Sequence, residues 1–149
     1  MRKNGILFLM IVLLLITACS SNAEKIVISQ SGKGQEKIIV YKLQKDATLL
    51  QQQTKKDVIA TFNDTSDTMI FINAIKESEK ILGIANTDSP NYEVTFQKDG
   101  TKDSYYLWIN NNDPTSNAMY VNKDDTHTAY KISVNSTNSI NKLLERIKD

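Results

Sequence analysis

The chain has 149 residues, 40% of them hydrophobic and 23% charged, with five Gly, two Pro, one Cys and one His. That is the scale of one small globular domain, since domains run at roughly 100–200 residues. One Cys excludes an intrachain disulfide and multi-Cys zinc patterns, one His excludes H-E-x-x-H, and a formal charge of +1 leaves no electrostatic footprint for nucleic acid.

In chain order, Arg2 and Lys3 precede the apolar run Ile6 to Ile16. The run fits a secretory h-region of roughly 7–15 residues and is short for a spanning helix of about 20. Leu15-Ile16-Thr17-Ala18-Cys19 follows and resembles the lipobox of bacterial lipoproteins. That resemblance implies signal cleavage between Ala18 and Cys19 and attachment of diacylglycerol to the Cys19 sulfur. Two acyl chains anchor stably, at roughly 0.8 kcal/mol per buried CH₂, where one is marginal. The expected organisation is a signal peptide over 1–18, a lipidated tether over 19–24 and a single domain over 25–149. From residue 19 onward the formal charge is −1.

Lys25 to Ser29 and Lys37 to Leu43 are β-branched runs that read as strands around a Gly-containing loop. Gly32-Lys33-Gly34 in that loop lacks the phosphate-loop spacing and reads as a turn. Gln44 to Lys56 is polar and ambiguous, and Val58 to Phe62 reads as a strand. A helix is expected over Asp64–Leu82, with Asp64 as N-cap, Asp67 in its first turn and Gly83 at C′.

Tyr92 to Phe96 alternates, Asp99-Gly100 is a strong hairpin signal, and Ser104 to Ile109 returns. A two-residue turn there pairs Lys98 with Thr101, Phe96 with Asp103, Val94 with Tyr105 and Tyr92 with Leu107. Core residues then occupy one face, while Tyr106 and Trp108 share the other with Glu93, Thr95 and Gln97. Ala118 to Val121 and Thr126 to Ile132 read as two more strands. Ser133 caps a last helix to Lys148, whose Ile140, Leu143, Leu144 and Ile147 form one apolar stripe. Hairpins without βαβ alternation predict an α+β fold: an antiparallel sheet with two main helices, one mid-chain and one C-terminal, packed on one face.

Ser89-Pro90-Asn91-Tyr92, Tyr106-Leu107-Trp108-Ile109, Asp125 to Tyr130 and the final amphipathic helix, in that order, resemble the YhfM-like small lipoproteins of Gram-positive bacteria. The resemblance runs from Gly83 to Leu144. It implies an envelope lipoprotein, held in the cell membrane by lipidated Cys19 with its domain on the extracytoplasmic side, and implies no mechanism.

His127 is the single candidate imidazole base, with Asp124 and Asp125 beside it. No G-x-S-x-G or comparable nucleophile context accompanies it. The Asn110 to Asp113 and Asp124-Asp125 segments lack the EF-hand pattern and match turn chemistry. No cofactor is expected. Tyr106 and Trp108, with His127 and Lys131 added by a neighbouring strand, form the candidate binding face, Tyr and Trp being enriched in binding hot spots. The leading expectation is a lipid-anchored, non-enzymatic envelope domain that binds an envelope protein or small ligand through this face. The alternatives are an envelope hydrolase or metal-dependent enzyme using His127 with Asp124 or Asp125, and an accessory lipoprotein with no discrete ligand.

Overall fold

The computed structural model describes residues 36–44, 55–82 and 88–147. The signal segment, Cys19, the tether, the Lys25–Ser29 strand, the Gly32-Lys33-Gly34 loop, most of Gln44–Lys56 and Gly83 lie outside the described residues. In chain order the elements are β1 (Lys37–Leu43), β2 (Lys56–Phe62), α1 (Thr65–Lys76), β3 (Glu79–Lys80), β4 (Tyr92–Lys98), β5 (Thr101–Trp108), β6 (Met119–Asn122), β7 (Ala129–Lys131) and α2 (Val134–Glu145). Seven strands form one sheet in the order β2-β1-β4-β5-β6-β7-β3, every pairing antiparallel. The fold is α+β.

Asp99 and Gly100 both adopt positive φ, 48° and 84°, as a tight hairpin turn between right-twisted strands requires. The turn sets the β4–β5 register: Tyr92 lies opposite Leu107, Val94 opposite Tyr105, Phe96 opposite Asp103 and Lys98 opposite Thr101. One-in-two alternation then sends Val94, Phe96, Tyr105 and Leu107 into the core, each at most 6% exposed. Phe96, Tyr105, Tyr120 and Tyr130 continue this side across β4 to β7 as a ladder of rings, with successive centroids 5.6, 5.7 and 5.1 Å apart.

Both helices pack on that face. Phe71, Ile72 and Ala74 of α1 and Ile140, Leu143 and Leu144 of α2 join the strand residues in one core. Asp64 caps α1 through the Ser66 N–H at 2.8 Å, and Ser133 caps α2 through the Ser136 N–H at 3.2 Å. Arg146, just past α2, binds Asp67 in the first turn of α1 at 2.7 Å. Thr137 is fully buried, and its hydroxyl accepts the Ala118 N–H at 2.8 Å, fixing α2 to the strand below.

Helix α1 is shorter than the expected Asp64–Leu82. It ends at Lys76 because the Ser78 hydroxyl bonds the Ile75 carbonyl at 2.6 Å and the Tyr120 hydroxyl at 2.8 Å, and Glu79–Lys80 then pairs with β7 at the sheet edge. Tertiary pairing thus outcompetes helical continuation there. Helix α2 likewise stops at Glu145. The expected Thr126–Ile132 strand contracts to Ala129–Lys131, because Asx turns at Asn122 and Asp125 claim the Asp124 and His127 N–H groups.

Candidate functional site

The helices leave the other face of the sheet without a helical layer among the described residues. Along this far face, register aligns Val58, Tyr41, Glu93, Tyr106, Val121 and Ala129 in one row across six strands. A second row holds Trp108, Met119, Lys131 and Glu79.

At the centre stands Glu93, 4% exposed, a carboxylate in mid-strand. It is retained there because each oxygen has a cation. Lys56 donates to Oε1 at 2.8 Å and Lys123 to Oε2 at 3.2 Å. Burial opposes the charge on Glu93, but the hydrogen bonds from Lys56 and Lys123 and their positive charges outweigh it, so the carboxyl titrates below its usual value. The same bond, against burial, holds the Lys123 ammonium above its usual value. Each lysine also lies over an aromatic ring, Lys56 4.2 Å from the centroid of Tyr41 and Lys123 5.6 Å from that of Tyr106. The result is an ordered Tyr–Lys–Glu–Lys–Tyr array spanning β1, β2, β4, β5 and the end of β6.

Tyr106 and Trp108 are half-buried. The Trp108 indole N–H donates to the Asp88 carbonyl at 2.5 Å, and the Asn91 side chain accepts the Ile109 N–H at 3.0 Å, so the segment before β4 is pinned to β5. Lys131 shares the row of Trp108 and is paired with Glu79 at 3.0 Å. His127 does not join them. It lies exposed in the β6–β7 turn rather than on a strand, and Asp125 accepts its main-chain N–H at 3.1 Å. The imidazole has no hydrogen bond among the described residues, so Asp124 and Asp125 do not orient it as an acid partner would. No group of three or more His, Cys, Asp or Glu is placed to hold a metal among the described residues. Ala18 and Cys19 lie outside them.

The sequence singles out Tyr106, Trp108 and Lys131 as candidates, gives no local sign of Lys56, Lys123 and Tyr41, and marks Glu93 only as a polar neighbour. An acid at the middle of an alternating strand was the available signal, since such a group is kept only with a partner. Its partners come from β2 and the β6–β7 turn, which local patterns do not place beside β4.

Between the helices and the core face lies an apolar cavity of about 20 Å³, lined by Phe71, Ala74, Phe96, Tyr105, Tyr120 and Ile140 among others. Ligand pockets run at roughly 300–1,000 Å³ with convergent polar groups, so this void is a packing defect.

A two-layer α+β domain, helices on one side and a charged, aromatic sheet face on the other, is the class of protein these elements define. The family model described as "YhfM protein" matches residues 42–149, and the chain belongs to that family. The match reaches well N-terminal of Gly83 and takes in part of β1 and all of β2. Among solved structures, a thioesterase-like protein from Clostridium sporogenes ATCC 15579 aligns over 74% of this chain and 94% of that one, at 15% identity and a TM-score of 0.52. That likeness is one of fold. No curated protein matches the sequence.

Proposed function

We propose that the protein is a lipid-anchored, non-enzymatic domain on the extracytoplasmic side of the cell membrane, and that it binds its partner through the far face of the sheet. The observation that carries the reading is the Glu93 array. A carboxylate buried between two lysines and two tyrosines fixes long side chains in place, and preordered groups lose less freedom on binding. Support for the anchor comes from Leu15 to Cys19, where an aliphatic residue and a small residue precede the single Cys. Among the described residues no helix is long and apolar enough to cross a membrane.

The thioesterase-like neighbour invites an enzymatic reading. A hydrolase built on His127 needs an oriented base and a nucleophile in reach, and no hydrogen bond among the described residues orients the exposed imidazole.

Three measurements test the proposal. Cys19→Ala is expected to abolish incorporation of labelled palmitate; unchanged labelling overturns the anchor. Crosslinking from Tyr106 or Trp108 positions replaced by a photoreactive residue is expected to trap a partner that Asn73 positions, on the exposed side of α1, do not; equal capture overturns the binding face. Activity on acyl-thioester and p-nitrophenyl ester substrates is expected to equal the buffer rate; turnover abolished by His127→Ala overturns the non-enzymatic reading.

A further inference from the structure

We propose that the partner of the far face is an anionic phospholipid surface, so that the anchored domain lies sheet-down on its own membrane. This rests on the reading that the far face binds and that Cys19 carries the anchor, and it names what the face meets.

Charge favours such a partner. Register places Lys37, Lys102 and Lys131 on the far face, and their ion pairs with Glu93 place Lys56 and Lys123 there. Against these five lysines stand two glutamates, Glu93 and Glu79. Counting Asp124, which lies beside Lys123 in the turn, and Asp88, whose carbonyl the Trp108 indole holds, still leaves a surplus of one positive charge. Off this face, the described residues carry seven basic side chains against ten acidic ones. The domain is nearly neutral in sum and polarised in space. A basic face on an otherwise acidic body is oriented by an anionic plane, because rotation away from it brings the acidic side down.

The side-chain types of the face suit a bilayer surface as well. Tyr41 and Tyr106 sit half-buried under Lys56 and Lys123, and half-buried Trp108 shares the row of Lys131, with Ile39 and Met119 on the same face. Tyr and Trp favour the headgroup level of a bilayer, where an apolar ring and a polar tip are both accommodated, and lysine stems reach past apolar surface to phosphate. Trp108 has already committed its N–H to Asp88, so the indole offers its ring.

The anchor also keeps the domain within reach of the membrane. Eighteen peptide steps separate Cys19 from Lys37, where β1 begins. The covalent chain therefore keeps them within ~65 Å of each other. A weak surface attraction acts on a tethered domain at high effective concentration, so a few lysines suffice.

The test uses the full lipid-modified chain reconstituted into vesicles of phosphatidylcholine alone or with phosphatidylglycerol. Trp108, the single Trp of the chain, reports through its emission and its quenching by lipids brominated near the headgroup. Docking predicts a blue shift and quenching on the phosphatidylglycerol vesicles only. Both are expected to vanish near ~1 M salt, where the screening length is about 3 Å. Each lysine near such a surface contributes about fivefold, so Lys37→Gln/Lys102→Gln/Lys131→Gln is expected to lower the docked population about a hundredfold. Lys42→Gln/Lys76→Gln/Lys142→Gln changes the same charge off the face and keeps docking.

Equal emission and quenching on both vesicle types overturns the proposal. So does a Trp108 response to added polyphosphate or inorganic phosphate with none to phosphatidylglycerol, which assigns the face to a soluble anion. Failure of the anchor is read separately, as absence of co-flotation with phosphatidylcholine vesicles.

Discussion

Lys56 and Lys123 lie 67 residues apart and meet on the two oxygens of Glu93. One comes from the edge strand β2, the other from the turn after β6, so the carboxylate ties together strands on either side of β4. A buried charge satisfied at both oxygens is stable only while both partners stay.

Glu93→Gln keeps the side-chain shape and removes the charge. The two ammonium groups are more than a third exposed and solvent screens them, so the expected loss at neutral pH is about 1–3 kcal/mol, toward the lower end. Folding depresses the Glu93 carboxyl below its ordinary 4.5. Its contribution is therefore complete above that value and is lost as pH falls through the folded-state value. Urea unfolding of wild type and Glu93→Gln should differ at pH 7 and converge in acid below about 4.5.

Thr137 gives a test confined to one hydrogen bond. Its side chain is fully buried, and its hydroxyl is the partner of the Ala118 N–H. Thr137→Val preserves volume and strands that N–H in the core, which costs about 1–3 kcal/mol. Thr137→Ser keeps the acceptor and loses a methyl, costing about 1 kcal/mol. Hydrogen exchange at the Ala118 amide should rise in the Val variant and stay protected in the Ser variant.

Elements whose cues are local were legible, and those defined by partners were not. Asp99-Gly100 dictated the β4–β5 register because few residues accept its positive φ values, and the Ile140–Leu143–Leu144 stripe marked the buried side of α2. Gly100→Ala meets no clash but inherits φ 84°, so about 1–2 kcal/mol of destabilisation is expected, read in the same unfolding assay. By contrast, β3 is two residues long and exists only because Ser78 binds Tyr120 and β7 offers an edge. Pairing β1 with both β2 and β4 is a long-range choice that no short pattern encodes. The same non-locality hid Lys56 and Lys123 from a reading that had already placed Glu93 on the correct face.

The buried tyrosines titrate late. Burial raises Tyr120 to about 12, partly offset by its hydrogen bond with Ser78, and burial raises Tyr105 as well. A phenol neutral in the fold and ionised when unfolded stabilises fully below about 10, and that contribution is lost as pH climbs toward the folded-state value. Ultraviolet titration should show a late phenolate step that coincides with unfolding.

Trp108 and Leu143 separate a face from a core. Leu143 is 1% exposed between α2 and the sheet, and Leu143→Ala should cost about 2–5 kcal/mol. Trp108 is half-buried and holds the Asp88 carbonyl, so Trp108→Phe should cost only about 0.5–1.5 kcal/mol, the worth of that bond. Its emission maximum should fall between those of a buried and a solvated indole.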